Sequence, residues 1–349
     1  MPVADGRAGV ASPLLQLHPL RRCNLTCAHC YSTSGPTARD ELRVDLLSTC
    51  LEDAVELGYR RLEISGGEPL LYAPLGDLLA RARRLGLVTT ITSNGLLISP
   101  ERWGLLAQFV DRLAISIDGP PAEHDALRRR PGAFASTVAT LKIVRSSGVP
   151  FGLVFTLTQH NADSLDFVAR LAAETGAADV EVRPLTLHGR AGTALSGARP
   201  EGNQLARALV HASRLTHETG VVINIDALTI EQVAEGHETL VPRRPVKRLV
   251  DVAPMLIVEA EASVLPLTHQ LAPELRLGSL ADGRLLALAR SWIAAGWGDR
   301  LAEACDGAWS TITRSRSVPA VHWGTDVAAC TRQRFSRRKT GQNPLTQAD

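Results

Sequence analysis

Three cysteines, Cys23, Cys27 and Cys30, stand in C-x3-C-x2-C spacing on a short polar loop that follows the apolar run from Leu14 to Leu20. Three thiolates on one tight loop read first as a metal site. Iron–sulfur clusters are held by cysteine thiolate, and a four-iron cube normally takes four of them, so three supplied here leave one iron open to bind and activate a substrate. A structural zinc site with His29 as the fourth ligand fits the same spacing. The loop leaves both readings open, and the motifs downstream decide between them.

From Leu14 onward the chain alternates. Short β-rich runs are expected at Leu14–Pro19, Arg61–Ser65, Val88–Ser93, Leu113–Ile117, Phe151–Leu157 and Val180–Leu185. Between them lie helical spacings, at Leu46 to Leu57, Leu75 to Leu85, Trp103 to Phe109, Phe134 to Val144 and Leu165 to Ala173, with glycine punctuation at Gly58, Gly86, Gly148 and Gly176. Strands alternating with helices imply a parallel sheet. Six such units predict an α/β fold, a partial (β/α)6 TIM-like barrel, whose chemistry belongs at the C-terminal ends of the strands.

Each strand end therefore carries candidate residues. The second runs into Ser65-Gly66-Gly67-Glu68-Pro69, where two glycines permit close backbone approach beside a carboxylate. The third ends at Ser93-Asn94-Gly95 and the fourth at Ser116-Ile117-Asp118-Gly119, with amide, hydroxyl and carboxylate groups placed to bind a polar ligand. Turn chemistry accounts equally well for Asp118. His124 to Arg128 follow, then Leu157 at the fifth strand end, and His188 and Arg190 after the sixth as candidate substrate contacts. His160 reads as a satisfied polar residue, and Cys50 as buried packing within a helix.

The cysteine loop, the Gly-Gly-Glu-Pro turn and the strand-end motifs together resemble the radical S-adenosylmethionine (SAM) superfamily, over about residues 14 to 190. The resemblance implies a 4Fe-4S cluster on Cys23, Cys27 and Cys30, with SAM chelating the open iron and cleaved to a 5′-deoxyadenosyl radical that abstracts hydrogen. It also implies SAM contacts: His29 before the last cysteine, Gly66, Gly67 and Glu68 at the amino group, and Asn94 and Ser116 at the ribose and methionine. Arg128 falls to the carboxylate, which a planar guanidinium suits, and Leu157 to the adenine.

Beyond Gly192 the expected elements are a helix over 201–220, a strand over 221–225, a hairpin over 257–267 and a helix near 285–295. That order is similar to the SPASM or twitch extension of peptide-maturing relatives, whose hairpin ends in Pro-Cys; here Pro266 is followed by Leu267, which cannot ligate iron. Only Cys305 and Cys330 remain in this region, too few for an auxiliary cluster. They are read as structural thiols, with hydrogen-atom donation as the catalytic alternative. The expected organisation is a flexible tail over 1–12, a radical SAM core over 13–220, a small degenerate SPASM-like C-terminal extension over 221–330 with one cluster per chain, and a basic flexible tail over 331–349.

Composition narrows the function. The 349-residue chain carries 38 Lys and Arg against 36 Asp and Glu, a balance that gives no field for nucleic acid. No stretch reaches the roughly 18 apolar residues of a membrane span, and neither paired cysteine spacing nor a signal peptide is visible, so a cytoplasmic protein without membrane partners is expected. The expected activity is hydrogen abstraction by a radical SAM enzyme from a ribosomal peptide precursor, with a flavodoxin- or ferredoxin-like electron donor. The alternatives are a small-molecule or tetrapyrrole substrate, and a non-catalytic zinc-binding module.

Overall fold

The computed structural model describes residues 12–315 and 318–339. Seven strands and the helices between them alternate from the N-terminal side: β1 Leu14–Leu17, α1 Val44–Leu57, β2 Arg61–Ile64, α2 Leu75–Arg84, β3 Val88–Ser93, α3 Pro100–Leu106, β4 Arg112–Ser116, α4 Pro121–Arg128, α5 Ala133–Ser147, β5 Phe151–Leu157, α6 Leu165–Thr175, β6 Asp179–Pro184, α7 Ala191–Ala194, α8 Gly202–Thr219 and β7 Val222–Ile225. The C-terminal part comprises β8 Leu228–Thr229, α9 Ile230–Glu235, α10 His237–Leu240, α11 Leu249–Val252, β9 Met255–Val258, β10 Ser263–Pro266, β11 Gly278–Ser279, α12 Leu285–Ala294, α13 Trp297–Ser315, β12 Ala320–Val321 and α14 Trp323–Lys339.

Ten strands form one open sheet in the order β11-β10-β9-β1-β2-β3-β4-β5-β6-β7. From β9 to β7 all neighbours are parallel, and β10 and β11 add antiparallel strands at one edge. This is the partial barrel, with a helical C-terminal extension. Burial on both faces explains why three of the four residues of β1 are leucine; all four, Gln16 included, are buried. Local chemistry sets helix ends as well: the Ser99 hydroxyl accepts from the Arg102 N–H, and Pro100 occupies the first turn, where a missing N–H costs nothing. One apolar core runs from Leu15, Leu62 and Phe155 through Leu256 and Val264 to Leu301 and Val327.

Two differences from expectation matter. The sheet crosses the anticipated boundary at residue 220, because β9 of the C-terminal hairpin pairs in parallel with β1, Leu17 opposite Val258. Residues 331–339, expected as the start of a flexible basic tail, instead continue α14. Thr331 and Phe335 are buried, continuing the stripe begun by Val327 and Ala328, and Arg334 pairs with Glu303 of α13 at 2.5 Å. The stripe was masked in sequence by the arginines between its members. Nearly all of the expected N-terminal tail, residues 1–11, and residues 340–349 lie outside the described residues. Among the described residues no helix is long and apolar enough to cross a membrane.

Candidate active site

The cysteine loop leaves the C-terminal end of β1 and is irregular, so its backbone groups are satisfied by neighbours rather than by a ladder. Isolated bridges join Leu20 to Glu41 and Arg22 to Gly35. The Ala28 N–H donates to the Leu127 carbonyl at 2.8 Å, and the Arg190 guanidinium donates to the carbonyls of Cys27 and Ser34 at 2.8 and 2.6 Å. Arg190, expected as a substrate contact, is thus a staple across this loop. Gly189 allows it: its φ is +58°, and a Cβ there would lie 2.2 Å from the Tyr31 carbonyl oxygen.

The Gly66-Gly67 turn also serves the loop. A Cβ on Gly67 would stand 2.1 Å from the Arg22 carbonyl oxygen, and one on Gly66 2.9 Å from His18 Cβ. The side of each glycine where a Cβ would stand is taken by the protein's own chain, and the Gly67 and Glu68 N–H groups donate to the Leu20 and Arg22 carbonyls at 2.9 and 3.0 Å. Glu68 is buried, and both its oxygens are engaged. Oε1 accepts from the Leu70 N–H at 3.1 Å and the Ser93 hydroxyl at 2.8 Å, and Oε2 accepts from the Asn94 N–H at 3.0 Å. Burial raises its pKa, against the pull of those donors. Glu68 therefore ties the glycine turn to the end of β3.

Around the thiols, Asn94 Nδ2 lies 3.9 Å from Cys23 Sγ, Arg128 Nη1 4.0 Å from Cys27 Sγ, and the Ser34 N–H 3.3 Å from Cys30 Sγ. Burial pushes the Cys23 thiol up to about 12, with Glu68 adding to it; burial also raises Cys27, which the Arg128 charge partly offsets. Arg128 donates through Nε to Asp118 Oδ2 at 2.6 Å, and Asp118 Oδ1 accepts from the Thr156 N–H at 3.2 Å. Burial alone would raise the Asp118 pKa, but the Arg128 charge holds it well below the usual carboxylate range. His29 lies beside the same carboxylate, Nε2 to Oδ2 3.6 Å, with its buried Nδ1 unpartnered; burial takes its pKa down to about 4.

Of the expected ligand contacts, His29, Glu68, Asn94 and Arg128 surround the cysteine loop. Ser116, at the end of β4, is half-buried, and its hydroxyl has no partner among the described residues. Leu157 is fully buried in the apolar core. Cys305 and Cys330 lie on the neighbouring helices α13 and α14, and burial raises both thiols, with the Cys330 charge adding to it at Cys305. Sequence reasoning missed Asn24. Its Oδ1 accepts from Asn94 Nδ2 at 2.8 Å while its own Nδ2 is buried without a partner, a donor waiting beside Cys23. Its position next to the first cysteine was the available signal.

The donor set suits a cluster better than a single ion. Sulfurs around a tetrahedral zinc stand about 3.8 Å apart. Among the described residues, the one group of His, Cys, Asp or Glu whose ligand atoms all lie within 4.8 Å of one another is a different group, so the three sulfurs are spread more widely. A model of the radical SAM superfamily matches residues 17–172. Residues 17–172, which carry the cysteine loop, are thus identified as a radical SAM domain. Its cofactors are accordingly a 4Fe-4S cluster, with Cys23, Cys27 and Cys30 as the donor set, and SAM.

The chain is 36% identical over 172 residues to an AdoMet-dependent heme synthase of Methanosarcina barkeri, covering 48% of this chain and 49% of that protein. It is 32% identical over 199 residues to a PqqA peptide cyclase of Ruegeria pomeroyi, covering 54% and 52%. The chain thus spans about half the length of the curated relatives it matches. The fold of anSMEcpe with bound AdoMet superimposes with a TM-score of 0.62 at 15% identity, over 95% of this chain and 96% of that one. That likeness extends through the C-terminal part, which has SPASM-like architecture.

Proposed function

We propose that this radical SAM enzyme abstracts hydrogen from a tetrapyrrole or comparable small molecule in a cofactor-forming pathway. The observation that carries the reading is the 36% identity to a heme synthase over 172 residues. Bound cluster and SAM supply the hydrogen-abstracting radical; the protein holds both and shields them. Of the residues near the loop, Asn24, with its free amide donor, and Arg128, locked against Asp118, are the groups proposed to orient SAM. Ser116 is proposed at the ribose side. His188 is proposed on the substrate side, where imidazole suits an iron-bearing macrocycle.

The peptide reading is favoured by a different observation, the 32% identity to a PqqA peptide cyclase. Leu267 in the place of the hairpin cysteine counts against it. An anaerobic assay decides. The cluster-reconstituted protein is given dithionite, SAM and either a carboxylate-bearing iron tetrapyrrole or candidate precursor peptides. The tetrapyrrole is expected to stimulate 5′-deoxyadenosine release and to change mass. Stimulation by a peptide alone would reverse the assignment.

A further inference from the structure

A second set of metal-type ligands converges where β1 and β9 end. His18 follows β1, Glu259 follows β9, and His269 follows the hairpin. His18 Nδ1 lies 2.9 Å from Glu259 Oε2 and His269 Nδ1 2.5 Å from Glu259 Oε1, with the ligand atoms all within 4.8 Å of one another. The two imidazole rings are nearly parallel, 16° apart at 5.2 Å between centroids. His18 and Glu259 are 241 positions apart in sequence.

The fold places these groups firmly. Parallel pairing of Leu17 with Val258 sets the residues that follow them side by side, and the His18 N–H donates to the Val258 carbonyl at 2.9 Å. The bare face of Gly66 leaves room for His18 Cβ. On the far side of the ring, His18 Nε2 meets Tyr31 Oη at 3.1 Å, which in turn meets the Ser65 hydroxyl at 3.2 Å. His269 comes two residues after Leu267, whose φ of +61° is a sparsely populated conformation for leucine and turns the chain back toward Glu259. His18 is 1% exposed, while Glu259 and His269, at 14% and 17%, keep an open side.

We propose that His18, Glu259 and His269 bind a divalent first-row transition ion, separate from the cysteine-loop cluster. Adjacent ligands of a six-coordinate ion at about 2.1 Å stand about 3.0 Å apart, close to the nitrogen-to-oxygen separations seen here. Two imidazoles and one carboxylate on one face select iron- or zinc-class ions over magnesium or calcium, and leave the opposite face for water or an oxygen donor of the substrate. Tyr31 is the outer partner that orients the buried imidazole and fixes its tautomer, as such partners do at histidine-ligated metals. Tyr31 also follows Cys30, so one residue links the two centres.

The test uses the full chain with its cluster reconstituted, titrated anaerobically with Zn2+ and separately with Co2+, by calorimetry, elemental analysis and the visible d–d absorption of Co2+. One equivalent per chain beyond the cluster iron is expected. H269A and E259Q should each weaken it by more than about 100-fold while leaving the iron content and cluster absorbance unchanged. H269A removes a partly exposed side chain, and E259Q keeps the shape, so loss of folding in one leaves the other to read. Failure of the wild-type chain to take up either ion, or equal uptake by both variants, overturns the proposal. No turnover is measured, so the outcome is independent of the substrate assay.

Discussion

Arg128 and Asp118 form an ion pair at 2.6 Å in which both side chains are buried, directly behind Cys27. Removing one member of such a pair leaves the other charge without compensation. D118A is expected to lower unfolding stability by about 3–5 kcal/mol. Urea denaturation checks this, and a loss under about 1 kcal/mol would show that the pair contributes little.

Glu68 holds three donors from two segments, so E68A strands buried N–H and O–H groups at once. The expected loss is at least about 1–3 kcal/mol. E68Q keeps the oxygen that accepts from Leu70 and Ser93 and should lose less. Thermal melts of both variants, with iron content measured alongside, separate the brace from any direct role at the cofactor.

At Gly67 there is no room for a methyl group, whereas Gly104, within α3, has open space around it. G67A should displace the backbone at Arg22 and sharply lower reconstituted iron. G104A should hold iron at the wild-type level and change stability by no more than about 1 kcal/mol. Equal iron in the two variants would contradict the seating role assigned to the glycine turn.

His124 supplies a pH dependence. Its Nδ1 accepts from the Asp118 N–H at 3.1 Å, which requires a neutral ring, and burial takes its pKa down to about 4. A free histidine titrates near 6.5. Because the unfolded chain takes up the proton first, this contribution is complete above about 6.5 and is lost progressively as pH falls toward about 4. Melting temperature should therefore fall between pH 7 and pH 5, and less so in H124N, whose amide oxygen keeps the acceptor.

Iron content tests the donor count. Three loop cysteines, with only two further thiols in the C-terminal part, predict about four iron atoms per reconstituted chain. Eight or twelve, as roughly two or three cubes would give, would require ligands that the C-terminal part does not supply.

The regular part of the fold was legible because its signals are local. β3 over Val88–Ser93 and β5 over Phe151–Leu157 have the expected bounds. β1 stops at Leu17, short of the expected Pro19, where the proline has no N–H for a ladder. Cysteine spacing marked the centre of the site in the same way. What sequence could not show was who partners whom at long range. Glu68 and the two glycines read as ligand contacts because their chemistry suits one, and the fold adds that they also hold Ser93, Asn94 and the Arg22 backbone. Arg190 read as a substrate contact, and the fold shows in addition that it donates to the Cys27 carbonyl. The grouping of His18 with Glu259 and His269 had no signal in spacing, since it depends on the pairing of β1 with β9.

That pairing also orders events in time. During synthesis the strand from which the cysteine loop hangs is made early, yet the partner for its outer edge, residues 255–258, is translated long after. Until then Leu14 to Leu17 offer unpaired amides and carbonyls to any passing strand. Iron loaded before residues 255–258 are made would fix sulfurs beside an open strand edge, so cluster insertion is expected to follow the pairing of β9 with β1.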